Sequence, residues 1–136
     1  MKKLVIFLTF ITLSLMADFI SQPLDQQLLD TKIKIIDIRT PSEWKETGLV
    51  KGSIPIMFFD NQGNYDINAF LNELNKMVKK KERFALICAS GSRSQMLGSH
   101  LANKLGYDVI DLKWGIQYAI MKKIPLEAYK SNKLKP

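Results

Sequence analysis

The sequence FALICASGSRS, residues 84–94, contains the pattern that decides the fold of this 136-residue chain. Its first four residues are all apolar, as expected for a strand in a parallel sheet that is covered on both faces. Small and polar residues follow from Cys88 to Arg93, and then a helical stripe of leucines at positions 97, 101 and 105. This order of strand, loop and helix predicts an α/β fold with the loop at the carboxyl edge of the sheet.

The same alternation continues on both sides of this stretch. Residues 33–38 and 109–112 are rich in β-branched residues and are predicted strands, and residues 54–57 form a short strand near a sheet edge because of Pro55. Five helices are predicted along with these strands. The first follows Pro23, and the second runs from Thr40 as N-cap to Gly48. The third follows Asp66 as its cap and has Lys79 to Lys81 at its C-terminus, the fourth ends before Gly106, and the fifth covers residues 114–123. We therefore predict a mainly parallel central sheet of about five strands with helices on both faces.

The N-terminus has the pattern of a secretory signal peptide. A basic start is followed by an apolar run over residues 4–16 and by Ala17, and the run is shorter than the roughly 20 residues of a membrane span. We predict cleavage after Ala17, a domain over residues 18–129, and a basic tail over residues 130–136. The predicted location is the periplasm of a bacterium, without stable membrane insertion after cleavage; the alternative is an inner-membrane anchor formed by the uncleaved segment.

The composition excludes several classes of protein. One Cys and one His exclude an internal disulfide, a multi-thiolate zinc site and a His-His metal motif and leave few options for a metal. No metal and no cofactor are expected. Removal of Lys2 and Lys3 with the signal lowers the net charge from +7 to +5. The remaining lysines are scattered without interleaved aromatic residues, which does not favour nucleic-acid binding.

The loop from Cys88 to Ser94 is the candidate centre of chemistry. Small residues and Gly91 allow successive N–H groups to point inward as an anion-binding nest, and the next helix adds its positive N-terminus. With Arg93 nearby, the thiol of Cys88 is expected to ionise easily and to act as a nucleophile without a His base. Four residues separate Cys88 from Arg93, one fewer than in tyrosine-phosphatase loops. The tighter loop suits one added sulfur atom better than a phosphate.

Two segments of the chain resemble the rhodanese-like sulfurtransferase family in its single-domain form. Residues 36–44 (IDIRTPSEW) and 48–55 (GLVKGSIP) are similar to the family's Asp-x-Arg strand end, Glu-aromatic helix and following glycine turn. Cys88-x-x-Gly91-x-Arg93-Ser94 is similar to the family's catalytic loop. With Leu112, Gly115-Ile116 and Pro125 added, the resemblance spans about residues 20 to 127.

The resemblance implies a rhodanese-like fold and a ping-pong reaction. Cys88 would take sulfane sulfur from a small anionic donor such as thiosulfate and pass the sulfur of its persulfide to a thiophilic acceptor, which is cyanide, a thiol or a protein. The substrate-binding residues would be Ala89, Ser90, Gly91, Ser92, Arg93 and Ser94, with Arg93 orienting the donor and steadying the loop. Asp37, Arg39 and Glu43 would form an ion-pair network that supports the strand end.

The chain also departs from the family pattern. Leu49, Trp114 and Ala119 stand where the family often has His, Gly and Trp, and Ala89 and Ser90 lack the extra cation of thiosulfate-preferring loops. Trp44, Phe58, Trp114 and Tyr118 are expected in the core, and His100 lies too far along its helix to act as a base. Two alternatives stay open: a non-catalytic rhodanese-fold module that carries sulfur or docks a partner, and a phosphatase or arsenate reductase.

Overall fold

The computed structural model describes residues 18–131, in which seven strands alternate with five helices. The predicted signal peptide and the last residues of the basic tail therefore lie outside the described residues. Within residues 18–131, no helix is both long enough and apolar enough to cross a membrane. The strands are β1 (Phe19–Gln22), β2 (Lys34–Asp37), β3 (Leu49–Val50), β4 (Ile54–Pro55), β5 (Phe84–Ile87), β6 (Val109–Leu112) and β7 (Leu126–Glu127). The helices are α1 (Gln26–Asp30), α2 (Pro41–Thr47), α3 (Ile67–Met77), α4 (Ser92–Leu105) and α5 (Gly115–Met121).

The central sheet is parallel throughout and has the strand order β1-β6-β5-β2-β4. Strand β5 lies in its middle, paired with β2 and β6, and all four of its side chains are buried. One core cluster joins Leu86 of β5 to side chains of α3 and α4, and a second joins Ile87 to side chains of α1 and α5. The α/β fold with a five-stranded parallel sheet and helices on both faces is thus confirmed.

Several local predictions match the structure because each depends on neighbours in sequence. The side chain of Thr40 caps α2 and forms a capping box with Glu43, Asp66 caps α3, and Gly106 ends α4 with a left-handed conformation at φ +76°. Strand β4 lies at the sheet edge, where Pro55 needs no ladder donor. Short-range hydrogen bonds therefore set these boundaries.

Other elements differ from the sequence predictions. Strand β1 and the small antiparallel pair of β3 with β7 were not predicted, because each is four residues or fewer and is ordered by pairing with a distant segment. Helix α3 ends at Met77, with Val78 already extended, so Lys79 to Lys81 lie in the following turn rather than in the last helical turn. Helix α4 begins at Ser92, whereas the sequence predicts its start near Arg93 or Ser94.

A buried ion pair fixes the carboxyl end of β2 beneath α2. Arg39 donates from Nε and Nη2 to the carboxylate of Asp37, with the shortest distance 2.8 Å, and both side chains are almost completely buried. The same guanidinium also donates to Thr47 Oγ1 and to the Gly48 carbonyl, at 2.8 and 2.9 Å. Trp44 Nε1 donates to Asp37 as well, so the buried pair joins the strand end to the middle and to the C-terminal end of α2.

Replacing Arg39 with Lys is expected to reduce the free energy of unfolding by about 2–4 kcal/mol, because one ammonium cannot satisfy this set of buried acceptors. Urea unfolding monitored by tryptophan fluorescence measures the loss. The matched control is Arg83→Lys, because Arg83 pairs with Asp18 and Asp108 at a partly exposed position and should lose about 1 kcal/mol or less. Equal losses in the two variants would contradict the structural role of Arg39.

Candidate active site

The loop that follows β5 lies at the carboxyl edge of the sheet, between the central strand and the N-terminus of α4. Cys88 follows the last residue of β5, and Gly91 is the N-cap of α4 with φ +101°. A side chain at Gly91 would come within 2.9 Å of the Trp114 backbone nitrogen, so both the conformation and the space require glycine. Strand, glycine and helix together place the thiol at the end of the sheet where ligands of α/β proteins bind.

The sulfur of Cys88 is enclosed by backbone donors. Its side chain has no solvent exposure, and Sγ accepts from the N–H of Gly91 at 3.1 Å and of Ser94 at 3.4 Å. Ser94 Oγ lies 3.3 Å from the same sulfur. Helix α4 has no side-chain cap, so its N-terminal end faces the loop with N–H groups that lack helical partners. This arrangement favours negative charge on the sulfur.

The predicted binding residues occupy different positions in this loop. Gly91 and Ser94 contact the sulfur through their N–H groups, whereas Ser90 and Ser92 are exposed and Ala89 is half-buried. A nest forms here, and two of its N–H groups are directed at the sulfur.

The back of the loop is held by α5. The carbonyl of Cys88 accepts from the N–H of Ile116 at 2.8 Å, and the carbonyl of Ala89 accepts from the N–H of Gln117 at 3.2 Å. Gly115 makes this approach possible: it has φ +58°, and a Cβ there would overlap the carbonyl oxygens of both Cys88 and Ala89. Sequence reasoning noted Gly115 only as part of a family pattern and missed this contact, although a glycine at the start of a helix is a recognisable signal for close packing.

An ion pair joins the loop to α2. Arg93 donates from both terminal nitrogens to Glu43, at 3.0 and 2.6 Å, and Glu43 also accepts from the Thr40 N–H at 3.0 Å. The hydrogen bond from Arg93 is the main reason that the pKa of Glu43 falls from 4.5 to about 2, and Glu43 in turn raises the pKa of Arg93. The carboxylate of Glu43 thus binds Arg93, while Asp37 and Arg39 form a separate pair. With two of its nitrogens on Glu43, Arg93 steadies the loop; its role in orienting a donor stays a prediction.

One acidic residue beside the loop was missed. Asp111 of β6 is buried and accepts hydrogen bonds from Ser94 Oγ at 2.5 Å and from Ser21 Oγ at 2.7 Å. A single acid in the otherwise apolar stretch of residues 109–112 was the available signal. The sequence does not say that β1 lies beside β6 and supplies Ser21.

Aromatic residues around the site are partly where they were expected. Trp44 and Phe58 are buried, but Trp114 is 49% exposed and Tyr118 is partly exposed, so the core prediction is wrong for Trp114. Trp114 caps the short helix α5 in a left-handed conformation at φ +66°, which directs its ring outward against Tyr118 and Lys113. His100 is exposed on α4, as expected for a residue outside the site.

The fold and the loop together describe a parallel α/β protein with a candidate cysteine nucleophile at the end of its central strand. The sequence profile of the Rhodanese-like domain family matches residues 21–119, and the chain therefore belongs to this family. No curated protein matches the chain.

Several solved structures share the fold. A rhodanese-related protein from Thermoplasma volcanium is 25% identical with a TM-score of 0.58, over 79% of this chain and 96% of the other. A rhodanese-like domain protein from Staphylococcus aureus is 21% identical with a TM-score of 0.57, over 82% and 98%. A Rhodopseudomonas palustris protein of unknown function, described as a possible tyrosine phosphatase, is 24% identical with a TM-score of 0.51, over 74% and 75%.

Replacing Glu43 with Gln tests the ion pair that holds the loop. At neutral pH the variant is expected to lose about 1–2 kcal/mol of unfolding free energy, after allowance for the partial exposure of the pair. Because the pKa of Glu43 is lowered in the folded state, its contribution is complete above pH 4.5 and is lost as the pH falls toward 2. Urea unfolding at a series of pH values should therefore show the two proteins converging over that range.

The matched control for this measurement is Glu73→Gln on α3. Glu73 pairs with Lys76 at an exposed position, so the variant should lose about 0.5 kcal/mol or less at any pH. A loss at position 43 that does not change with pH would exclude the ion pair as its source.

Replacing Gly115 with Ala tests the contact between α5 and the loop. The variant is expected to lose about 3 kcal/mol or more of unfolding free energy, because the new methyl group overlaps two carbonyl oxygens and the backbone conformation is strained. Gly106→Ala is the control, since Gly106 also has positive φ but open space around it, and about 1 kcal/mol is expected there. Equal losses in a comparison of unfolding midpoints would show that the loop does not need this close approach.

Proposed function

We propose that this protein is an exported sulfurtransferase that carries sulfane sulfur on Cys88 as a persulfide. The observation that supports the proposal most directly is the hydrogen bonding of Cys88 Sγ by the N–H groups of Gly91 and Ser94. These donors stabilise a thiolate before the reaction and remain close to the sulfur when charge moves during it. The location in the periplasm rests on the signal-peptide pattern of residues 1–17.

The proposed transfer has two steps. The Cys88 thiolate attacks the outer sulfur of a donor such as thiosulfate, a new S–S bond forms, and sulfite leaves with the electron pair of the bond that breaks. A thiophilic acceptor then attacks the terminal sulfur of the persulfide, and Cys88 leaves as the thiolate. Arg93 lies near Cys88 in both steps, and the part of its positive charge that Glu43 does not offset limits the cost of bringing an anionic donor to an anionic sulfur.

The surroundings of the thiol favour small or slender donors. Cys88 is fully buried, while Ser90 and Ser92 of the same loop are exposed and mark the side from which the loop is reached. An open depression of about 560 Å³ adjoins Arg93 and includes Phe59, Asp60 and Met96 in its wall. Cys88 is not part of the wall of this depression, and because the thiol is fully buried, an inorganic sulfur anion or a polysulfide chain reaches it more easily than an aryl phosphate does.

Cys88→Ala is the decisive variant for the proposal. The protein that carries Cys88 should gain the mass of one sulfur atom after incubation with thiosulfate, polysulfide or mercaptopyruvate, and Cys88→Ala should gain none, because the chain has no other thiol. Intact-mass spectrometry without reductant is the measurement. His100→Ala is the matched control on the exposed face of α4 and should load sulfur normally. The same spectrum of protein from the periplasmic fraction shows whether the chain begins after Ala17.

The other outcomes separate the alternatives. No adduct with any donor would reject the sulfurtransferase. An adduct that cyanide and small thiols do not remove would favour the non-catalytic sulfur-carrying module. Hydrolysis of an aryl phosphate by the unmodified protein would favour the phosphatase.

A further inference from the structure

A buried carboxylate stands behind the thiol and is not used in the transfer described above. Asp111 is 2% exposed, and its carboxylate accepts hydrogen bonds from two hydroxyl groups, Ser94 on Oδ1 and Ser21 on Oδ2. Among the ion pairs of residues 18–131, none includes Asp111. Both carboxylate oxygens of Asp111 are therefore held by neutral hydroxyl groups.

The hydroxyl of Ser94 connects this carboxylate to the thiol. Ser94 Oγ lies 2.5 Å from Asp111 Oδ1, 3.2 Å from the Gly91 carbonyl and 3.3 Å from Cys88 Sγ. A hydroxyl has one proton to donate and two lone pairs to accept with, and Ser94 directs its proton along its shortest contact, to Asp111. With that proton directed at Asp111, the oxygen of Ser94 is left to accept from the thiol proton of Cys88. The hydrogen bonds therefore run in one direction, from Cys88 through Ser94 to Asp111.

We propose that Asp111 takes up the proton of Cys88 through Ser94 when the thiolate forms. The S–H bond of Cys88 breaks and its proton binds Ser94 Oγ, while the proton of Ser94 passes to Asp111 Oδ1. The products are a thiolate, a neutral serine and a protonated carboxyl group, and no oxidation state changes. The proposal deepens the proposed function, because this thiolate is the one that attacks the sulfur donor; Asp111 acts as a positioning residue through Ser94.

The two groups differ in the hydrogen-bond donors that surround them. One negative charge moves from Asp111, which has hydroxyl donors only, to a sulfur that accepts from two backbone N–H groups. Arg93 of α4 lies close enough to Cys88 for the sulfur to contribute to the raised pKa of Arg93, and Glu43 of α2 binds Arg93. On β2, Asp37 is paired with Arg39. On β1, Ser21 donates a hydrogen bond to Asp111. Neighbouring β5 contributes Leu86, which is apolar, beside Asp111.

Alkylation of Cys88 by iodoacetamide, measured from about pH 5 to about pH 10, tests the proposal without requiring sulfur transfer. Over the pH range in which Asp111 and Cys88 together hold one proton, the fraction of thiolate changes little with pH. The rate of alkylation should therefore reach a plateau at mildly acidic pH. In Asp111→Asn the amide cannot accept a proton. Within the pH range of that plateau, the rate of the variant should instead fall about tenfold per pH unit, and at alkaline pH it should approach the rate of the unmodified protein.

A second variant and a control protect the test from folding defects. Ser94→Ala breaks the path and should remove the same plateau, and the double variant should be no slower than either single one. Asp108→Asn makes the same chemical change at a carboxylate that pairs with Arg83 outside the site, and its pH profile should match that of the unmodified protein. Unfolding midpoints of all variants show whether each is folded at the pH values used.

The opposite results would overturn the proposal. If Asp111 acted only as a negative charge that opposes the thiolate, Asp111→Asn would alkylate faster at acidic pH. A pH profile that is unchanged in both Asp111→Asn and Ser94→Ala would also reject the relay. Because persulfide formation is measured separately, a failed relay leaves the sulfurtransferase proposal standing, and a failed sulfurtransferase leaves the alkylation result interpretable.

Discussion

The contact between the start of α5 and the back of the Cys88 loop is the constraint on which the site depends. Helix α5 draws the carbonyl groups of Cys88 and Ala89 to one side by donating to them from Ile116 and Gln117. Peptide groups are rigid, so these two bonds fix the backbone on both sides of Ala89, from which the turn to Gly91 and Ser94 starts. The contact requires a residue without a side chain at position 115, and the left-handed Gly91 then turns the chain so that backbone donors reach the sulfur.

The loop is held on a second side by charge. Glu43 belongs at once to the capping box of α2 and to the ion pair with Arg93, so the start of α2 and the start of α4 are fixed to one another. Beneath them, the buried pair of Asp37 and Arg39 holds the end of β2. Three strand ends and three helix ends thus meet around one thiol, and most of the polar side chains there serve geometry rather than chemistry.

The parts of this structure that could be predicted from the sequence are those set by neighbours along the chain. The cap at Thr40, the buried strand β5 and the glycine after α4 follow from local rules, and the position of Cys88 follows from the strand that precedes it. The partner of Glu43 is 50 residues away and that of Ser94 is 17 residues away, beyond the reach of such rules. The sequence indicates only that Asp111 belongs to a strand, because its hydrogen bonds to Ser21 and Ser94 form only when β1, β6 and α4 lie side by side.

Burial of a single thiol has a consequence for how sulfur would be handled. The chain has no second cysteine that could resolve a persulfide on Cys88 as an internal disulfide. A persulfide in this loop would also retain the donors of Gly91 and Ser94 and be shielded from large oxidants. Its sulfur would therefore stay in place until an external acceptor approached closely enough to displace it. Under the proposed function, the acceptor rather than the reactivity of the thiol alone would determine when turnover occurs, and the loop would hold the sulfur between two encounters.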